Sequence, residues 1–553
     1  MKIKLISSLE KCFLDEALED KKEYLSASCL KNEIFHFGLC FENDEIYRNQ
    51  PESEWKNFAY LSVDSPIIDY IRVARVEVVP VQHAGWNDGN YLRTEPGLYP
   101  DVMQPLGEDG RIISSCNLKS LMVEVDTKGE LEAGIYPITF KVKPSIGEEC
   151  SATFNLEIID ADLPEQKLKF TQWFYTDCLM QYYRTEAFDE KHWEIIENFA
   201  KTAVRYGINM LLTPVFTPAL DTYVGGERAT TQLVGVKKDN GVYSFDFSLL
   251  GRWVDMCNRI GVKYFEIAHF FTQWGAKAAP KIMATVDGEY KKIFGWETDA
   301  CGEEYSEFLR AFIPQLLAYM KSLDGADKRC WFHISDEPSE QHLESYLSAK
   351  SIVAPLLEGY PIMDALSHYE FYSSGAVDKP VPGTTSVHDF IDHNVPDLWT
   401  YYCVSQANEV SNRFMAMPSY RTRIIGTQMY KYNIDGFLHW GYNYYNNQYS
   451  YAELNPFMNT DGEYFAAAGD TFSVYPGPDG KPWESIRLLV FYDALQDMRA
   501  LSLCEELYGK DFVMKIVEDG IEPITFFDYP HSADYLLGMR EKINRAIAEK
   551  IKK

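Results

Sequence analysis

Two adjacent carboxylates, Asp336 and Glu337, stand where a run of apolar and aromatic residues ends: Cys330-Trp-Phe-His-Ile-Ser335, then Asp336-Glu337-Pro338. The run has the composition of a short buried strand, and the proline breaks the chain before a helix expected near Glu340. Within a regular strand neighbouring side chains point to opposite faces. At a strand end, the turn into the loop can bring both acids into one pocket. There burial and mutual repulsion push two carboxyls toward different pKa values, as acid/base work requires. The plainer alternative has Asp336 capping the next helix and Glu337 solvated at the surface. For an arbitrary Asp-Glu pair that alternative wins; the position at a strand end favours chemistry.

Aromatic residues recur at the ends of the other expected strands. Trp173, Trp399, Tyr401, Tyr402, Trp440, Tyr442 and Tyr475 are the candidates for substrate contact, with His269 as a polar companion. Any one aromatic is more often core than ligand contact. Their recurrence at strand ends fits a carbohydrate pocket, where apolar ring faces pack on aromatics and a few polar groups meet hydroxyls. No second histidine or carboxylate lies at ligand spacing from His269, which is read as a substrate-hydroxyl partner or a satisfied core histidine. No metal ion and no cofactor is expected. Arg487 either reaches the pocket or pairs with an acid in its wall. The chain has no G-x-S-x-G, P-loop or H-E-x-x-H motif, which weakens serine-hydrolase, nucleotide-binding and zincin readings.

The elements that must position these residues fall into two rhythms. Residues 1–165 carry short β-branched runs, Ile71–Pro80, Leu121–Val125, Ile135–Val142 and Ser151–Ile159, the pattern of a β-sandwich. Asp160–Gln166 is the expected boundary. Strands and helices then alternate. The strands are expected at Phe170–Phe174, Asn209–Thr213, Lys263–Ala268, Cys330–Ser335, Tyr360–Ala365, Leu398–Cys403, Gly436–Trp440 and Thr471–Tyr475. The longer helices are expected at Glu190–Tyr206, Ser248–Ile260, Ser306–Leu323, Ser411–Tyr430 and Glu484–Leu507. Eight such units predict a multidomain β plus α/β protein: an N-terminal β-sandwich (1–165), a (β/α)8 TIM-like barrel (166–507) and a C-terminal helical segment (508–553). Leu536, Met539, Ile543, Ile547 and Ile551 mark the inner face of the last helix.

Composition narrows the partners. Fifty-three basic against 82 acidic residues give a net charge of −29, which repels polyanions and anionic lipid; neither a nucleic acid nor a membrane is expected as partner. No run of 18 apolar residues occurs, and the N-terminus acquires charge too soon for a signal peptide. Eleven scattered cysteines with no C-x-x-C fit reduced thiols in a cytoplasm.

Three motifs then carry a resemblance: Ile334-Ser-Asp336-Glu337-Pro338, Gly436-Phe-Leu-His-Trp-Gly-Tyr442, and Asp470-Thr-Phe-Ser-Val-Tyr-Pro-Gly477 leading to Ser485-Ile-Arg487-Leu. In this order they resemble the catalytic domain of glycoside hydrolase family 123, and a wider bacterial set sharing it, over roughly residues 166–507. The resemblance implies a retaining exo-β-N-acetylgalactosaminidase-like enzyme whose substrate's own 2-acetamido group is the nucleophile. It implies Glu337 as general acid/base and Asp336 as the group that orients the acetamido and stabilises an oxazolinium-like intermediate. The partner would be an oligosaccharide or glycoconjugate. Two alternatives stand beside this one: a glycosidase of the same fold acting on another sugar, and a non-catalytic carbohydrate-binding protein.

Overall fold

The computed structural model describes residues 1–43, 57–86, 88–145, 147–338 and 340–552. Its N-terminal part is two β-sheets facing each other. The strands expected there form at Ile71–Val81, Lys119–Asp126, Gly134–Pro144 and Cys150–Asp162. Alternation along them sends one set of side chains inward, where Leu39, Phe41, Val123 and Val125 of one sheet meet Phe140, Val142, Phe154 and Leu156 of the other. Phe37 stacks on Phe154 with ring centroids 4.1 Å apart.

Eight short parallel strands follow: Lys169–Gln172, Met210–Thr213, Tyr264–Ile267, Cys330–Trp331, Met363–Leu366, Lys379–Pro382, Trp399–Tyr401 and Gly436–His439. Six of them form one sheet in the order fourth-third-second-first-eighth-seventh, and the fifth and sixth pair with each other. Parallel bridges Phe332–Ile362 and Gly383–Tyr401 join this pair to the two edges of the six-stranded sheet. The parallel sheet is thus curled. The helix Glu190–Arg205 shows how its outer cover forms. Asp189 accepts a hydrogen bond from the His192 backbone N–H at its start, and Gly207 (φ +87°) follows its end. Trp193, Ile196, Phe199, Ala200 and Ala203 make its buried face.

The expected eighth strand is corrected. Val474–Pro476 does not join the parallel sheet; it pairs antiparallel with Pro482–Ser485, which extends the N-terminal sheet through Gly97–Pro105. Lys379–Pro382, unassigned from sequence, takes a place among the parallel strands instead. Two hairpins also went unread, Gly235–Asp246 and Ile282–Phe294, which together make a four-stranded sheet. Their turns are Asn240-Gly241 and Asp287-Gly288, all four residues at positive φ as tight hairpins require.

Arg487 resolves toward the wall. Ser485 caps the helix Ile486–Tyr508 by accepting from the Leu488 N–H, which plants Arg487 in its first turn. The guanidinium donates through two nitrogens to Asp101, each at 2.9 Å, and to the carbonyl of Phe472 at 2.8 Å. Both partners of the pair are buried, so each depends on the other for its solvation. Asp101→Ala strands a buried cation, and we expect a stability loss of about 3–5 kcal/mol, read from the urea unfolding midpoint. In the last helix, Ala533–Ile551, Leu536, Met539, Ile543 and Ile547 are buried, and Ile551 at its end is exposed. Arg540 on that helix pairs with Asp497 and Glu33, tying both ends of the chain to the centre.

Candidate active site

After Trp331 the fourth strand stops pairing regularly, and the chain runs through His333 and Ile334 into Asp336-Glu337. Glu337 adopts φ +42°, the left-handed region that residues with a Cβ avoid. That turn breaks the alternation, and both acids line one cavity of about 160 Å3. Trp173, Tyr401 and Trp440 stand in its wall, with Asp221, Gln273, Trp274 and Tyr449 from the longer loops. The Tyr401 hydroxyl donates to Glu337 Oε1 at 2.6 Å. The Trp274 backbone N–H donates to the Asp336 carbonyl at 3.1 Å. Desolvation raises both carboxyls above their ordinary range; for Asp336 the neighbouring Glu337 charge adds to it, and for Glu337 the Asp470 charge does. Tyr401 opposes the shift of Glu337 by hydrogen-bonding its charged form. The pair therefore tends to keep a proton at pH values where isolated carboxyls have lost theirs.

A buried ionic layer lies beneath the pair. His333 sits between two carboxylates, with Nε2 2.7 Å from Glu266 and Nδ1 3.2 Å from Asp364. Burial opposes its charge, but the two acids prevail and its pKa rises to about 9. Glu266 also accepts from Thr171 and from the Trp173 indole N–H at 2.7 Å, so the same acid sets the tilt of a cavity-wall ring. His269 lies face to face with His333 at 4.1 Å, and burial drives it toward the neutral form. His269, His333 and Asp364 bring ligand-type atoms within 4.8 Å of one another, a proximity their sequence spacing hid. These residues do not fit a metal as they stand. Both His333 nitrogens are already engaged, and stacked imidazoles aim their in-plane lone pairs along separate lines.

On the opposite wall the Trp440 indole N–H donates to Asp470 Oδ2 at 2.9 Å. Asp470 also lies 3.3 Å from His439 Nε2. Burial, with the Arg413 guanidinium 2.8 Å from Nδ1, lowers His439 to a pKa of about 3. Asp470 and the Gly436–Tyr442 segment, distant in sequence, thus meet to hold one ring of the cavity.

The family model described as "Glycoside hydrolase 123, catalytic domain" matches residues 173–504. The chain belongs to glycoside hydrolase family 123. A family 123 glycoside hydrolase from Clostridium perfringens, described in terms of glycolipid glycan hydrolysis, shares the fold with a TM-score of 0.73 at 14% identity, covering 100% of this chain and 98% of that one. Two weaker likenesses are a Bacteroides ovatus GH5 xyloglucanase (TM-score 0.30, 9% identity, 89% and 100% covered) and a putative glycoside hydrolase from Bacteroides vulgatus (0.29, 12%, 87% and 79%). No curated protein matches the sequence.

In this family 123 hydrolase, three of the eight expected substrate contacts line the cavity: Trp173, Tyr401 and Trp440. The other five lie elsewhere. Trp399, two residues below Tyr401 on the same strand, packs on Trp331 and over Gly436, where a Cβ would come within 2.1 Å of its ring. Tyr402 points the other way, against Phe437 and Phe491. Tyr442 stacks on Phe174 and donates to the Phe199 carbonyl beneath the helix Glu190–Arg205. Tyr475 donates to Asp101 at 2.6 Å in the arginine-bearing wall, and His269 lies under Trp173 in the ionic layer. Sequence reasoning passed over Asp221, Gln273 and Tyr449, which sit in loops with no periodicity to flag them.

Proposed function

We propose that this family 123 glycoside hydrolase is a retaining exo-enzyme that releases terminal β-linked N-acetylhexosamine, N-acetylgalactosamine first. The observation that supports it is the meeting of Asp336 and Glu337 in one small aromatic-walled cavity, both with raised pKa, Glu337 held by Tyr401. A cavity of about 160 Å3 is below the ~300–1,000 Å3 of drug-sized pockets and suits a single sugar ring. We read the curled sheet as a (β/α)8 barrel presenting its site at the strands' C-terminal ends, with the two facing sheets as a β-sandwich beside it. The eleven thiols, all unpaired, suit a cytoplasmic location.

The chemistry follows from one proton shared by two carboxyls. When the sugar enters, its acetamido N–H donates to Asp336 and favours the charged form there, which leaves the proton on Glu337. Asp336 then turns the acetamido carbonyl toward C1. Glu337 protonates the glycosidic oxygen as the carbonyl oxygen bonds to C1 from the opposite face, and the aglycone leaves. The positive charge of the resulting oxazolinium ion faces the Asp336 carboxylate. Glu337, now ionised, takes a proton from water as that water attacks C1 and reopens the ring. Two inversions give net retention, with no enzyme nucleophile. Extending the glycolipid theme of the Clostridium perfringens protein, neutral glycolipid glycans are a natural substrate class.

A panel of aryl β-glycosides tests the reading. We expect kcat/KM on the N-acetylgalactosaminide at least ~100-fold above that on the galactoside, in the range one well-placed stabilising group contributes. The first product seen by NMR should be the β-anomer. Turnover confined to sugars lacking the 2-acetamido group overturns it and makes the pair acid/base and nucleophile instead.

A further inference from the structure

Two thiols meet outside the catalytic domain. Cys40 lies on the strand Ile34–Glu42, opposite Lys4 of the strand Lys2–Ser7. Past Ser7 the chain turns back, with the Glu10 N–H donating to the Ser7 carbonyl at 3.2 Å. Cys12 then packs with Ile6, Leu18, Cys40 and Leu118 in a small core separate from the two large ones. Cys12 is 3% exposed and Cys40 0%. The Cys40 thiol donates to the Lys4 carbonyl at 3.4 Å, which leaves its sulfur lone pairs free. The Cys12 thiol hydrogen-bonds to Cys40, and that contact, with burial behind it, holds the Cys12 proton well above the ordinary thiol range. Two sulfurs in contact inside one core can bond to each other once both protons leave.

The segment that carries Cys12 joins the N-terminal sheets to the catalytic domain. The Ser8 hydroxyl donates to Asp493 at 3.2 Å, and Lys11 Nζ donates to the carbonyls of Met415 at 2.9 Å and Met417 at 2.8 Å. Met415 follows Arg413, the cation that faces His439 in the cavity's wall. Lys21 folds the segment on itself, donating to the Lys11 carbonyl at 3.0 Å and pairing with Glu16 at 2.7 Å. Its ammonium opposes the upward shift of Cys12, so it favours the thiolate of that residue over the thiol. Residues 8–17 form no helix or strand, whereas Cys40 is fixed in a sheet. Local opening therefore exposes Cys12 first and leaves Cys40 waiting for it.

We propose that Cys12 and Cys40 are an oxidation site that a small disulfide such as oxidised glutathione closes to a Cys12–Cys40 bond, stapling the Lys11-bearing segment to the strand Ile34–Glu42. The Cys12 thiolate attacks one sulfur of the oxidant, and the first glutathione thiolate leaves and takes up a proton. Cys40, deprotonated in turn, attacks the Cys12 sulfur of the mixed disulfide, and the second glutathione leaves. Two S–H bonds and the oxidant's S–S bond are replaced by one protein S–S bond and two glutathione thiols. A reducing cell keeps the pair open as two thiols, and an oxidising compartment closes it. The bond encloses a loop of about 30 residues, whose freedom in the unfolded chain is lost, so closure stabilises the fold. The site holds whatever sugar the cavity takes.

The experiment holds the full-length protein in glutathione buffers running from reduced to oxidised, blocks remaining thiols under denaturing conditions and digests without reductant. We expect the tryptic fragments 12–21 and 32–48 to appear joined in the oxidised buffers and to separate on reduction. The exposed Cys116 and Cys301 should carry single glutathiones in the same samples, which shows that the oxidant has acted. Closing the bond should raise the thermal unfolding midpoint by about 5 °C or more over the same protein treated with dithiothreitol. Cys40→Ala should gain nothing from the same oxidation. Cys12 and Cys40 recovered as free thiols, or as separate glutathione adducts, where Cys116 and Cys301 have reacted overturn the site. A joined pair that leaves the midpoint unmoved, or a gain that Cys40→Ala matches, overturns the staple. Should Cys40→Ala fail to fold, the fragment map and midpoint of wild type decide.

Discussion

Replacing Glu337 with Gln should lower kcat/KM for a neutral oligosaccharide ending in N-acetylgalactosamine by about 10³-fold, within the range general acid–base catalysis commonly supplies. The loss should shrink as the leaving group improves, because a dinitrophenolate departs without a proton while a sugar alkoxide does not. The pH profile gives the second signature. In wild type, kcat/KM should fall on the alkaline side as the pair releases its last proton. Burial, and the charge of Asp470, place that limb above the ordinary carboxylate range. The acid limb reflects protonation of Asp336. Glutamine cannot titrate, so the alkaline limb should vanish from the variant. The acid limb should stay in place, because Glu337 is already protonated and neutral there, as glutamine is. Steady-state rates across pH 4–9 on both aglycones check all three points; an unchanged alkaline limb, or an equal loss on both aglycones, would remove Glu337 from the acid's role.

What could be read in the sequence was what is local. Asp336-Glu337 announces itself by position after an apolar run, and Tyr401 and Trp440 by position at strand ends. Thr471–Tyr475 could also be read as a strand, but the local sequence cannot name its partner. That segment's neighbour is Pro482–Ser485 in the N-terminal sheet, which only the folded chain brings near. Lys379–Pro382 escaped for the opposite reason: two prolines in four residues argue against a strand, yet each proline here needs only its carbonyl and its shape. Trp399 and Tyr401 illustrate depth. They share a strand face, but 3.3 Å of rise per residue separates a ring that reaches the cavity from one that fills the layer below. Asp221, Gln273 and Tyr449 had no readable signal, since loop residues follow no period, and Asp221 and Tyr449 sit in the left-handed region. The His333 layer was hidden by distance: its carboxylates stand 67 and 31 positions away.

Asp336→Asn should lower kcat on N-acetylgalactosaminides by about 10²–10³-fold, the cost of removing one preorganised group that meets charge only in the transition state. Asparagine keeps the shape and still accepts the acetamido N–H, so KM should change far less than kcat. Stability should move the other way. The Asp336 carboxyl is raised in the folded protein by burial and by Glu337, whereas in the unfolded chain it titrates near ~3.9. Below that value both states hold the proton and the group contributes nothing. As the pH rises, the unfolded chain releases its proton while the folded one still holds it, so wild type loses stability up to the folded pKa. Asparagine escapes this loss. The variant's urea midpoint should therefore exceed that of wild type at pH 7, and the gap should close as the pH falls toward 4. A site that keeps two half-buried carboxyls side by side is held at the expense of the fold, and a carboxyl with only a packing role has no reason to carry that cost. A variant as active as wild type would mean that Asp336 does not meet the reacting sugar, and a midpoint gap that widens toward acid would mean that its carboxyl is stabilised, not strained, by its surroundings.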